Sequence, residues 1–256
     1  MTKIISIHSF RGGTGKSNIT ANLAAALAAQ GHRIAVVDTD IQSPGIHALF
    51  NLDAAQVQHS LNDYLWGRCQ IEDTAYDVSA VLRSGGVSQG QIFLVASSLR
   101  LGEIARILRD GYDVEMLNDG LQDLIDRLQI DYLLIDTHPG INEETLLSLT
   151  ISDALLIILR PDRQDFQGTA VTVEVARRLQ VPNLLLVVNR VLAIYDAEAL
   201  EQQVTTTYNA PVAGLLPNSD DMMQLASSEI FYLRFPHHPL SQVITTIAKR
   251  LIETLR

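Results

Sequence analysis

The chain has 256 residues, of which 47% are hydrophobic, 19% charged and 5% aromatic; this composition fits a globular domain with a sizeable core and excludes disordered, collagen-like and disulfide-scaffold chains. Its formal net charge of −10 excludes a positive field over the whole surface, so binding to nucleic acid or anionic lipid would need a local patch. The single cysteine, Cys69, excludes an intramolecular disulfide and any zinc or iron–sulfur site that needs a cysteine pair from one chain.

The first ten residues contain one lysine and a short apolar run that leads directly into a glycine-rich segment. This pattern is unlike a secretory signal or a transit peptide, and we therefore expect a cytoplasmic protein. No fully apolar run approaches the roughly 20 residues that cross a bilayer. We expect no membrane span.

Short apolar runs alternate with segments of helical periodicity, which is typical of βα units that build a mostly parallel sheet. Most of the predicted strands are apolar on both faces, as buried parallel strands are. They are residues 4–8, 34–38, 92–96, 132–136, 154–159, 184–189 and 212–216. Helices are predicted between them, for instance over residues 18–30, 115–128 and 169–179. The sequence predicts an α/β fold in which helices cover both faces of a mostly parallel, twisted sheet.

The segment 50–113 is the least regular part of the pattern. Gly85, Gly86 and Gly90 indicate a loop or hairpin, and residues 101–109 have the spacing of a helix. We interpret the segment as an elaboration of the main sheet. Its composition does not change enough to mark a second domain.

A glycine loop follows the first strand and leads at once into an Ala- and Leu-rich helix. It reads Arg11-Gly12-Gly13-Thr14-Gly15-Lys16-Ser17, with Asn18 next. Glycines allow successive backbone N–H groups to face one concavity, and the helix N-terminus adds partial positive charge. Lys16 can reach β- and γ-phosphates, and Ser17 is placed to ligate Mg²⁺. We predict that residues Gly12 to Asn18 bind the phosphates of a nucleoside triphosphate.

The loop resembles the deviant Walker A motif of the ParA/MinD family of ATPases. Phe10 stands where the strict spacing G-x-x-x-x-G-K-[ST] would have its first glycine, and Arg11 stands where the family has its signature lysine. The resemblance extends over nearly the whole chain and implies one P-loop NTPase-like, nucleotide-binding domain over residues 1–256. It also implies an ATP-dependent sandwich dimer in which Arg11 would reach the phosphates of the partner subunit. Arg11 could instead pair with a nearby carboxylate.

Three aspartates follow strands that should flank the loop, where a nucleotide hydrolase needs carboxylates. The second strand ends in Asp38-Thr39-Asp40, which resembles the family's D-x-D segment, and the fourth ends at Asp136. By that resemblance Asp40 orients the hydrolytic water, Asp38 lies near Mg²⁺, and Asp136 holds the ion through water. Residues 137–140 would form the switch loop, in which we expect an exposed, neutral His138.

The base pocket is assigned by the same resemblance to the ends of two late strands. Asn189 offers a donor and an acceptor to adenine, with Arg190 beside it, and backbone groups near Pro217 and Asn218 complete the pocket. An asparagine after a buried strand can equally be a turn residue.

The sequence leaves several functions open. The lack of cysteine pairs excludes the metal-linked branches of the family, so we favour an ATP-dependent positioning ATPase that an adaptor protein stimulates. ParA-type members bind DNA without sequence specificity, which would place the protein on the nucleoid; the candidate contacts here are Arg234, Lys249, Arg250 and Arg256. MinD-type members use a C-terminal amphipathic helix on membranes, but we expect the last helix to pack against the sheet. Residues 10–50 also resemble carboxysome-distributing ParA-type proteins.

A dinucleotide-binding oxidoreductase is the alternative from another class, although position 18 lacks the third glycine of the dinucleotide-binding motif.

Overall fold

A computed structural model describes all residues, 1–256, and contains one eight-stranded sheet with the order β3-β4-β2-β5-β1-β6-β7-β8. All neighbouring strands are parallel except the pair β3 and β4. The strands are β1 Lys3–His8, β2 Arg33–Asp38, β3 Ala75–Asp77, β4 Gln91–Val95, β5 Tyr132–Asp136, β6 Ala154–Leu159, β7 Asn183–Val191 and β8 Val212–Pro217.

Eleven α-helices accompany the sheet. They are α1 Lys16–Ala28, α2 Leu61–Leu65, α3 Ala80–Ser84, α4 Leu101–Asp110, α5 Val114–Leu128, α6 Glu143–Thr150, α7 Arg163–Arg178, α8 Ala197–Tyr208, α9 Asp220–Leu225, α10 Phe231–Arg234 and α11 Pro239–Thr254. Short 3-10 helices cover Ile46–Phe50, Ala54–Gln56 and Ile71–Thr74.

The predicted α/β architecture is confirmed. All seven predicted strands are present, and alternate residues of β1 show why helices cover both faces: Ile5 and Ile7 pack in the cluster with α1 and α11, whereas Ile4 packs in the cluster with α5. A further cluster joins β6 and β7 to α7 and α8. Burial of both faces is the reason that these strands read as continuous apolar runs.

The sequence analysis missed β3. This edge strand has three residues and ends in an exposed aspartate, so it lacks the apolar run that marked the other strands. It pairs antiparallel with β4 through a connection that contains α3. Gly90 is required there, because a Cβ at this position would lie 2.0 Å from the Ala28 carbonyl oxygen.

Helix α11 packs on the protein, as expected. Leu240, Ile244, Ile247 and Leu251 are buried against the sheet in the largest core cluster, where the helix contacts β8 and α1. The apolar stripe of α11 is therefore covered by the fold. No helix has the length and apolar character that a bilayer crossing needs.

Candidate nucleotide-binding site

The site lies where the central strands β2, β5 and β1 end side by side. In this part of the sheet Asp38 is opposite Asp136, and Ile7 is opposite Asp136 on the other side. Because all three strands are parallel, their carboxyl ends meet at one edge, which is the place where α/β sheets bind ligands. The residues that follow β1, β2 and β5 are thereby brought together.

The glycine loop connects β1 to α1 and leaves the start of the helix uncapped. Gly15 is the residue before the helix, and no side chain accepts a hydrogen bond from the first turn. The free N–H groups of a helix N-terminus form an anion site. Gly13 and Gly15 have φ of +77° and +93°, and a Cβ at Gly15 would lie 2.5 Å from Nδ2 of Asn189. The backbone therefore requires glycine at these turns.

Lys16 is buried at the centre of the site. Its side chain is 7% exposed, and Nζ donates to Oδ1 of Asp136 at 2.9 Å. The hydroxyl of Thr20 lies 3.3 Å from the same carboxylate oxygen. The predicted phosphate lysine and the predicted strand-end carboxylate are thus in direct contact.

Asp38 is buried beside Asp136 and has one unpartnered oxygen. Oδ1 accepts a hydrogen bond from the backbone N–H of Asp40 at 3.0 Å, whereas Oδ2 is buried without a partner. Burial, and then the neighbouring charge of Asp136, raise the pKa of Asp38 well above its usual value. A divalent cation near the two carboxylates would offset both costs, so the residues present fit Mg²⁺. The structure contains no cluster of three or more His, Cys, Asp or Glu side chains arranged for a metal, but Mg²⁺ with phosphates needs only one or two carboxylates.

Asp40 makes a contact that the sequence analysis did not predict. Oδ1 of Asp40 lies 2.6 Å from Nδ1 of His138 and accepts the backbone N–H of Ser43 at 3.2 Å. The His138 side chain is only 20% exposed, so the expectation of an exposed histidine is wrong. The two residues are 98 positions apart in the chain, and only the alignment of β2 and β5 brings them together.

His8, at the end of β1, is a further residue that was missed. The Thr137 hydroxyl donates to the carbonyl of Ile7 at 3.1 Å, so Nδ1 of His8 donates to that hydroxyl oxygen, 2.7 Å away. Burial, and then the charges of Lys16 and His138, lower the pKa of His8 to about 3. The available signal was a histidine inside an otherwise apolar strand.

Arg11 pairs with carboxylates of its own chain in this structure. Nη1 lies 3.2 Å from Oδ1 of Asp165 and 3.7 Å from Oδ1 of Asp162, and the side chain is 38% exposed. This is the alternative that the sequence left open for Arg11. Asp165 is buried and also accepts from Nε of Arg160 at 3.0 Å.

The predicted base-pocket residues line one cavity of about 280 Å³ beside the glycine loop. Asn189 donates through Nδ2 to the carbonyl of Thr14 at 2.7 Å, which joins the end of β7 to the loop. Met222 and Met223 of α9 complete the cavity and were missed, because nothing in the local sequence relates α9 to the loop. The remaining lining includes the predicted residues Asn18, Arg190, Pro217 and Asn218.

The candidate DNA contacts lie on two elements: Lys249 and Arg250 are on α11, with Arg256 just after it, and Arg234 is on α10. Nη1 of Arg250 donates to the carbonyl of Val212 at the start of β8. Arg256 lies near Tyr132 at the start of β5. Burial raises the pKa of Tyr132, and the positive charge of Arg256 acts in the opposite direction. Both arginines are therefore at the amino-terminal edge of the sheet, opposite the glycine loop. Lys249 is exposed beside Arg250, and Arg234 ends the separate helix α10.

Comparison with known proteins identifies the family. Residues 2–194 match the family model AAA_31, described as an AAA domain. The chain belongs to this family. An uncharacterized ATP-binding protein of Methanocaldococcus jannaschii is 29% identical over 255 residues, which cover 98% of this chain and 88% of the relative.

Two solved structures show the same fold. The septum site-determining protein MinD of Pyrococcus horikoshii, complexed with Mg-ADP, has a TM-score of 0.79 at 20% identity and covers 98% of this chain and 96% of its own. A plasmid partition protein of Borrelia burgdorferi bound to AMPPNP has a TM-score of 0.79 at 19% identity and covers 99% of each chain. The ParA/MinD-type resemblance seen in the glycine loop is confirmed. Membership of the AAA_31 family argues against the alternative of a dinucleotide-binding oxidoreductase.

Proposed function

We propose that the protein is a Mg-ATP-dependent ATPase switch of ParA type, which dimerises with ATP and positions or segregates a cargo on a surface such as the nucleoid. The observation that carries this proposal is the buried cluster of Lys16, Asp38 and Asp136 beside Asp40 at the mouth of the glycine loop. A simple strand-to-helix turn would have no use for a lysine and three carboxylates held out of water.

The cluster supplies the parts that phosphoryl transfer requires. The N–H groups of the glycine loop bind phosphate oxygens, and Lys16 moves from Asp136 to the β- and γ-phosphates. Ser17, Asp38 and Asp136 would hold Mg²⁺. Bound there, the ion would neutralise charge on the phosphate oxygens. Asp40 orients the attacking water, and ADP with phosphate are the products.

The cavity lined by Asn189, Arg190, Pro217 and Asn218 receives the base. Gly15 and Asn18 of the glycine-loop segment line the same cavity. A nucleotide whose base lies in the cavity would therefore have its phosphates close to the loop. The asparagine amides can pair with the edge of adenine, and Met222 offers an apolar surface to its ring. ATP is therefore the proposed nucleotide.

Dimerisation and surface binding extend the proposal to partners. Arg11 would leave Asp165 and contact the phosphates bound by the partner subunit, because the Arg11 side chain is 38% exposed and the buried Asp165 keeps its bond from Arg160. Arg234, Lys249, Arg250 and Arg256 are the candidates for non-specific DNA contacts, and an adaptor protein would accelerate hydrolysis. A plasmid, a chromosome or a protein microcompartment such as the carboxysome would be the cargo. The covered apolar face of α11 argues against the MinD-type alternative of membrane attachment through this helix.

Sedimentation velocity with Mg-ATP and with Mg-ADP tests the switch. We expect wild type to dimerise with ATP and to be monomeric with ADP. Asp40→Ala should keep the ATP dimer and lose hydrolysis, whereas Lys16→Ala should lose nucleotide binding. A monomer under every condition would refute the dimer switch.

The DNA partner needs a separate measurement. Retention on a non-specific duplex should require ATP and should fall steeply with added salt, because phosphate contacts release counterions. Retention that ignores salt or nucleotide, or no retention at all, would remove the nucleoid from the proposal. A vesicle sedimentation arm with anionic lipid tests the membrane alternative directly.

A further inference from the structure

The carboxylate of Asp40 is held by one side chain from elsewhere in the chain. Oδ1 receives both of its hydrogen bonds, from Nδ1 of His138 at 2.6 Å and from the backbone N–H of Ser43 at 3.2 Å. Oδ2 has no hydrogen-bond partner in the protein, and the residue is only 8% exposed. One oxygen is therefore anchored while the other remains able to accept a proton from water.

The anchor is itself fixed to the start of the glycine loop. Thr137 donates through its backbone N–H to the carbonyl of Ile7 at 3.2 Å, and Gly140 donates to the carbonyl of Ser9 at 3.1 Å. Pro139, which follows His138, lies near Gly12: a Cβ at that glycine would be 3.9 Å from Cγ of the proline. The backbone on both sides of His138 is thereby held against the segment that leads into the phosphate site.

We propose that His138 is a positioning residue for ATP hydrolysis, which holds Oδ1 of Asp40 so that Oδ2 is directed to the attacking water. The proposal rests on the proposed ATPase function and adds a residue to it. Ser43 donates from the same segment as Asp40 and moves with it, so only His138 relates the carboxylate to the switch loop. A displacement of about 1 Å in such a group can cost on the order of 10²-fold in rate.

The test uses variants that differ in where they place a donor. His138→Asn puts its amide nitrogen where Nδ1 of the imidazole lies, since both are bonded to Cγ. His138→Gln moves the nitrogen one bond further out, to the region of Nε2, and His138→Ala has no donor. The asparagine and glutamine variants carry the same functional group, so the position of the donor is the main difference between them.

Single-turnover hydrolysis of Mg-ATP and the Kd for ATP are measured on each full-length variant. We expect the single-turnover rate constant to fall about 10²-fold in the alanine and glutamine variants while the Kd for ATP stays within a few-fold of wild type, and we expect asparagine to restore most of the rate. If the alanine variant does not fold, as judged by its thermal unfolding, the asparagine and glutamine variants decide the question.

An unchanged hydrolysis rate in the glutamine variant would overturn the positioning role. Equal losses of rate in the asparagine and glutamine variants would also overturn it. A parallel loss of ATP affinity and rate would also count against it, because it would assign His138 to nucleotide binding. If wild type itself hydrolyses no ATP, with or without DNA, the proposed function fails first and this inference fails with it.

Discussion

The buried histidine of β1 should make the stability of the nucleotide-free protein depend on pH. His8 is fully buried, and its pKa is lowered from the usual 6.5 to about 3, mainly by burial. The unfolded chain binds a proton on His8 near pH 6.5, whereas the native state binds it only near pH 3. As far as His8 is concerned, the native state is therefore most stable above pH 6.5, and its free energy of unfolding decreases progressively as the pH falls towards 3.

The size of the effect follows from the width of that window. Each unit of pH between the two pKa values is worth 1.36 kcal/mol for one proton. Between pH 6.5 and pH 5 the native state should therefore lose about 2 kcal/mol of unfolding free energy through His8. Asp38 acts in the opposite direction, because its raised pKa favours the native state as the pH falls. A comparison of variants is needed to isolate the histidine.

Urea unfolding at pH 7 and pH 5 in the presence of a metal chelator measures the effect. In His8→Asn the amide nitrogen can still donate to the Thr137 hydroxyl, but position 8 no longer titrates. The variant should therefore lose about 2 kcal/mol less than wild type on acidification. His237→Asn, at an exposed position, is the control and should behave as wild type. An equal pH dependence in wild type and His8→Asn would refute the reasoning.

Two further predictions concern the surroundings of the glycine loop. In Gly168→Ala the new Cβ would lie 2.1 Å from Cδ1 of Phe10, so urea unfolding should show that the protein loses about 1–3 kcal/mol of unfolding free energy, and Phe10→Ala should restore part of it. The control is Gly102→Ala, which adds a Cβ in open space on α4 and should not destabilise the protein. An unchanged stability in Gly168→Ala would contradict the packing of Phe10 against Gly168. Arg11→Ala should change the unfolding free energy by less than about 1 kcal/mol, because Arg11 is partly exposed and the buried Asp165 keeps its bond from Arg160. The same variant should lose the ATP-dependent dimer in sedimentation velocity, and a full ATP dimer would exclude the proposed role of Arg11 across the interface.

The local pattern was sufficient for the sheet and for the outline of the site. Apolar runs that end in Asp38 and Asp136 predicted parallel strands whose carboxyl ends share an edge, and the structure places both aspartates opposite each other. The glycine loop was recognisable because the backbone at Gly13 and Gly15 needs positive φ. The edge strand β3 and the cavity residues of α9 could not be predicted from the sequence, because a three-residue strand and a short surface helix show no comparable pattern.

What the sequence determined by itself is the set of chemical groups that the strand ends and the turn must present: Lys16, the three aspartates and the glycine-rich backbone of the loop. These depend on residue types within a few positions of one another. What only the tertiary structure decided is which of these groups touch. The contacts of His138 with Asp40, of His8 with Thr137 and of Arg11 with Asp165 join segments 98, 129 and 154 positions apart. Such contacts arise from strand order and packing, which no local spacing encodes.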